Sequence, residues 1–142
     1  MNLSLTKTGD YVVRAALSLA LMHPRAGYLK IREVAAQMDL PIRYTPQILR
    51  MLAKAGLAES RAGRDGGYRL TRDPADISLL QVVEAGEGEL YVGRCTITRG
   101  SCHLADICAL HTTLEDAMLA FRETLEAASL ADVATGAPLL AN

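Results

Sequence analysis

The chain has 142 residues, half of them apolar, and a formal net charge of −1, enough for one core and an appendage but not for two domains. No apolar run reaches the roughly 18 residues of a bilayer span, and no basic start leads into an apolar stretch with a small-residue cleavage site, so a cytoplasmic protein off the membrane is expected. The even balance hides a split: residues 1–72 carry twelve Lys/Arg against five Asp/Glu, and residues 73–142 carry three against eleven, which points to a polyanion partner for the first half and a solvated or self-associating second half.

The first predicted helix is LTKTGDYVVRAALSLALMH, where Val12, Ala15, Ala16, Leu19 and Met22 recur at helical spacing and Pro24 follows the end. IREVAAQM is the second, with Ile31, Val34, Ala35 and Met38 on one face, stopped by Asp39-Leu40-Pro41. A third runs from about Tyr44 to Ala55, with Ile48, Leu49, Leu52 and Ala55 inward and Gly56 as its stop. Pro46 would cost about 3 kcal/mol in a helix interior but is harmless in a first turn, so Thr45 or Arg43 is expected as the N-cap. Next, Leu57, Tyr68 and Leu70 suit short strands around the turn AGRDGG.

Two helices, a tight turn, a third helix and a basic hairpin make a winged helix-turn-helix, in which the third helix enters the major groove and the hairpin lies on the adjacent backbone. ISLLQVVEAGEGEL closes that unit as a further short helix. A long helix near residues 112–129 places Leu114, Met118, Phe121, Leu125 and Ala128 at the 4-3-4-3 spacing of a paired helix. The expected fold is therefore mainly α with a small β-hairpin: a winged helix-turn-helix domain over 1–90, a cysteine-containing segment 91–111, a dimerisation helix 112–133 and a flexible tail 134–142. A homodimer of this kind reads double-stranded DNA as a pseudo-palindromic operator with half-sites one or more helical turns apart.

Arg43, Tyr44, Thr45, Gln47 and Arg50 fall in or beside the first turns of the third helix, where Gln47 can pair with adenine and Arg43 or Arg50 with guanine. Lys7, Lys30, Arg61, Arg64 and Arg69 suit phosphate contacts, which fix register without reading sequence. Any one of these arginines is more often a solvated surface charge, and Tyr44 fits core packing equally well. Five basic residues between Arg50 and Arg69 shift the balance towards DNA.

All three cysteines of the chain, Cys95, Cys102 and Cys108, lie within fourteen positions, with His111 one helical turn further on. Clustered thiols in a reducing compartment are metal-binding or redox-active more often than disulfide-bonded. Thiolates suit iron–sulfur clusters, zinc and copper(I). Zinc sites usually pair their cysteines two to four residues apart, closer than these, and a disulfide switch leaves one thiol over. No Ser-His-Asp order, phosphate loop, HExxH or dinucleotide fingerprint suggests an enzyme. A winged helix serving only as a protein scaffold is the other rival, against which the basic helix and hairpin argue.

In their order these segments resemble the bacterial IscR/NsrR-type iron–sulfur winged-helix regulators. The likeness runs from about Leu5 to Val133: the opening helix LTKTGDYVVRAALSLA, the recognition helix and wing YTPQILRMLAKAGLAESRAGRDGGYRLTR with its GGY, the linker helix ISLLQVVEAGEGEL, the three cysteines and the long helix. Thr45-Pro46 stands where that family usually has Leu-Glu, and six residues rather than five or fewer separate Cys95 from Cys102. The resemblance implies a transcriptional repressor, not an enzyme, with a [2Fe-2S] or [4Fe-4S] cluster held by Cys95, Cys102 and Cys108 and a fourth ligand. His111 matches the family's histidine, and Asp10 matches the carboxylate that a partner chain supplies in other members. Redox change, nitrosylation or loss of the cluster would then control operator binding. A zinc- or thiol-based winged-helix regulator without a cluster is the alternative.

Overall fold

The computed structural model describes residues 4–23, 27–90, 101–104 and 106–136. The chain order is α1 (Lys7–Met22), α2 (Ile31–Met38), α3 (Thr45–Lys54), β1 (Ala58–Arg61), β2 (Gly67–Leu70), a 3-10 turn at Pro74–Asp76, α4 (Leu79–Glu87), α5 (Ala109–Ala127) and α6 (Leu130–Gly136). Pro24, Cys95 and the tail beyond Gly136 lie outside the described residues.

α1 forms the centre of the core. Val12, Ala15, Ala16 and Leu19 are buried as the helical spacing requires, while Met22 is half-buried at the edge. Thr6 starts the helix, its hydroxyl accepting from the Gly9 amide at 3.1 Å. The expected α2 is met to the residue, and Asp39 ends it in the left-handed conformation at φ 51°. In α3, Ile48, Leu49 and Leu52 face inward and Pro46 occupies the first turn, whereas Ala55 is exposed.

β1 and β2 pair antiparallel from Ala58 opposite Leu70 to Arg61 opposite Gly67, which makes the wing. A single bridge adds Leu29 to its edge: the Leu29 and Tyr68 amides each donate to the other's carbonyl at 2.8 Å. Gly67 permits this approach. Its φ is +148°, and a Cβ there would lie 2.1 Å from the Leu29 carbonyl oxygen.

The end of the chain differs from expectation. The long helix starts three residues earlier, at Ala109, and stops at Ala127, so residues 112–133 form two helices. The cause is a return to the first domain: the Leu79 amide donates to Ala128 and the Leu130 amide to Ile77, both at 2.8 Å. Leu130 is then fully buried in the core. Ser129 and Asp132 cap each other's backbone amides at the start of α6, and the backbone amide of Ser129 holds the Asp132 carboxyl below its usual pKa. Residues 134–136, expected in a loose tail, are helical, and Ala134 packs on the core.

α5 buries no residue, and Leu110, Leu119 and Phe121 are exposed. Among the described residues no helix is long and apolar enough to cross a membrane.

Candidate nucleic-acid interface and cysteine segment

The turn into α3 is held from one atom. The Pro41 carbonyl accepts from the Tyr44 amide (2.9 Å), the Thr45 amide (3.1 Å) and the Thr45 hydroxyl (3.0 Å). That fixes a correction to the expected reading surface: Thr45 is fully buried with its hydroxyl committed to the backbone, so it cannot reach a base edge. Tyr44, in helical backbone conformation, is the N-cap residue instead of Thr45 or Arg43. The residue is 51% exposed, which removes the core-packing alternative. Arg43, Gln47 and Arg50 are exposed on the same side of the sequence pattern, three and four residues apart.

The wing carries two kinds of cation. Arg69 is committed within the hairpin: its Nε lies 2.5 Å from Glu59 Oε1 and its guanidinium 4.6 Å from the Tyr28 ring centre. The bond to Glu59 raises its pKa further still. Arg69 thus remains charged at every working pH, but with a neighbour that offsets the charge. Arg61 also approaches the Tyr28 ring, at 5.8 Å. The Lys30 ammonium donates to the Arg64 carbonyl and ties the tip of the wing to the start of α2. Within the described residues Arg43, Arg50, Arg61 and Arg64 have no acidic partner.

A shallow groove between α2 and the wing is lined by Lys30, Arg32, Ser60 and Arg61. Arg32 was not among the residues expected to touch DNA.

The described thiols, Cys102 and Cys108, are free and half-buried. Cys108 is the N-cap residue of α5, and the His111 amide donates to its carbonyl at 3.0 Å, so thiol and imidazole belong to one turn. His111 is largely sheltered, with Nε2 3.8 Å from Glu115. Asp10 lies in the first turn of α1, half-exposed and paired with Arg14 at 3.0 Å. Among the described residues no three His, Cys, Asp or Glu side chains converge on a metal-sized space. Two thiols and an imidazole are nonetheless soft-metal donors, and Cys95 is the third thiol of the set.

The helix that follows the cysteine segment, α5, is fastened to the winged-helix unit through α4. Glu84 Oε1 accepts from Arg122 of α5 at 2.8 Å and from the Leu90 amide at 3.0 Å, while Arg122 also donates to the Leu90 carbonyl at 3.0 Å. One turn further along α4, Glu87 Oε1 accepts from the Thr6 amide (2.7 Å) and hydroxyl (2.8 Å) at the start of α1. The two helices touch through glycine here: a Cβ on Gly86 would lie 2.9 Å from Gly9 Cα.

Comparison with known proteins agrees with this geometry. A family model described as Rrf2, iron-dependent transcriptional regulator, matches residues 5–136. The transcriptional regulator NsrR of Geobacillus kaustophilus is 32% identical over 132 residues, covering 92% of this chain and 89% of that protein. Among solved structures, CymR, the global cysteine regulator of B. subtilis, superposes with a TM-score of 0.75 at 26% identity, covering 96% of this chain and 99% of that one. The IscR of T. potens does so with a TM-score of 0.72 at 28% identity, over 96% and 89%. The chain, a mainly helical winged-helix protein, belongs to the Rrf2 family of transcriptional regulators.

Proposed function

We propose that the chain is a homodimeric regulator that binds a pseudo-palindromic operator and is controlled by an iron–sulfur cluster on its cysteine segment. The observation that carries this reading is the pair of ion-pair and capping contacts from α4, which join the helix bearing Cys108 and His111 to the unit bearing α3 and the wing. Arg43, Tyr44, Gln47 and Arg50 read base edges; Lys7, Lys30, Arg61 and Arg64 hold phosphates, with Arg69 bracing the hairpin from inside. The exposed apolar side chains of α5 pair with those of a second copy, which sets the distance between the two reading heads.

Cys95, Cys102 and Cys108 would hold the cluster, with His111 or Asp10 as the fourth ligand, and the cluster supplies a centre that reacts with oxidants and nitric oxide. Ligation by these residues would tie the segment down, and its loss would release the segment and alter the spacing of the heads. The iron-dependence in the family's description and the donor chemistry of these residues support this assignment. A zinc- or thiol-based switch is the second reading, favoured by two free thiols and by the likeness to a cysteine regulator. Anaerobic isolation with an absorbance spectrum, metal analysis and native mass separates them. Iron, visible absorbance and a dimeric mass are expected; colourless, iron-free dimer that binds DNA leaves the second reading.

DNA binding has its own test. Eight phosphate contacts, four from each protomer, correspond to a log–log salt slope of about −7. A flat salt response would show that duplex DNA is not the ligand.

A further inference from the structure

Between Thr6 and Leu90 the described large apolar side chains left exposed are Ile42, 53% exposed, and Tyr44, at 51%. Everything else of that kind in the reading unit is buried or half-buried, and the other exposed ones lie at Leu5 or on residues 104–121. Isolated exposed apolar residues are common on protein surfaces. These two differ in position, in setting and in rigidity.

Ile42 is the first central residue of the turn Pro41–Tyr44, whose carbonyl at Pro41 holds three donors. Pro41 before it, buried Thr45 after it and Pro46 in the first turn of α3 leave that turn little freedom. Ile42 is β-branched and stiff at χ1, so its methyl groups are presented in few orientations. It is followed directly by Arg43, and Gln47 and Arg50 lie on the helix that the turn opens. An exposed apolar residue held beside Arg43, at the entry to the helix that bears Gln47 and Arg50, matches a major groove, where the phosphates are anionic and the thymine C5-methyl is the apolar feature of a base edge.

We infer that Ile42 is a specificity-determining residue, packing its side chain on a thymine methyl in each operator half-site, with the exposed Tyr44 two residues further on. The inference rests on the proposed DNA-binding function and adds to it a preference for thymine. Because Ile42 is exposed and bears no hydrogen-bonding group, its replacement leaves the fold intact.

The probe is the duplex that the intact chain selects from a random-sequence pool, remade with each thymine in turn replaced by deoxyuridine, which removes the methyl and nothing else. One uridine position per half-site is expected to weaken binding by roughly fourfold, the worth of one buried methyl-sized group. In Ile42→Ala that difference should vanish, and in Ile42→Val it should persist. A selected duplex with no recurrent thymine, no uridine effect at any position, or the same effect in Ile42→Ala would each overturn the assignment to Ile42 while leaving DNA binding standing. Selection of no duplex at all would overturn the DNA-binding reading together with it.

Discussion

Cys102→Ala is expected to yield a folded dimer without visible absorbance or stoichiometric iron, whose operator affinity no longer responds to oxidant or nitric oxide. Cys102 lies outside the hydrophobic core, so the far-ultraviolet dichroism and melting of the iron-free protein should match those of the iron-free parent. The loss follows from donor count: two thiolates and one further ligand fall one short of four where the parent set, with Cys102 and either His111 or Asp10, is complete. Parallel His111→Ala and Asp10→Ala variants identify the fourth donor, since only one of them should disturb the spectrum. Asp10→Ala also removes the half-exposed pair with Arg14, worth no more than about 1 kcal/mol. A Cys102→Ala protein with an unaltered spectrum would show that the cluster is held elsewhere or is not the cofactor.

The second large effect belongs to Gly67→Ala. A methyl group there meets the Leu29 carbonyl at a distance no packing tolerates, so the bridge between Leu29 and Tyr68 must open. Two backbone hydrogen bonds contribute about 1 kcal/mol each, and a non-glycine residue at φ +148° adds strain of about 1–3 kcal/mol. A destabilisation of about 3–5 kcal/mol is expected in urea unfolding. The wing also loses its seat against α2, so operator affinity should fall together with the contribution of Arg61 and Arg64. Gly63→Ala is the control. Its φ is +99° but nothing lies within 4 Å of the added carbon, so it should show the strain cost with DNA affinity intact. Equal effects of the two substitutions would mean that the Leu29 edge does not hold the wing.

Much of the reading unit was legible because its signals are local. Asp39-Leu40-Pro41 fixes the end of α2, and Pro46 has only the first turn of α3 to occupy. Thr45 was misread because a threonine at a helix start looks like a side-chain cap. Its side chain instead turns back to Pro41, four residues earlier, and is enclosed by the core. The break between α5 and α6 was missed for a different reason. Helical spacing continues through Ala128, and the contact that overrides it joins Ile77–Leu79 to Ala128–Leu130, some fifty residues away. The commitment of Arg69 to Glu59 and Tyr28 was equally invisible, since cross-strand pairing and a ring from another segment decide it. In the site, the donor types were readable from the cysteine spacing, while Arg122 and Glu84, thirty-eight positions apart, gave no sign of meeting.

The placement of Glu84 and Glu87 has a mechanical consequence. They sit three residues apart on α4, one gripping the helix after the cysteines and the other seating the helix that begins the chain. A rotation of α5 large enough to part Arg122 from Glu84 also withdraws the Arg122 donor from the Leu90 carbonyl, while the Leu90 amide stays on Glu84. One helical turn is therefore placed as a fulcrum. Under the proposed function, a displacement of α5 would reach the first helix as leverage through a pair of carboxylates.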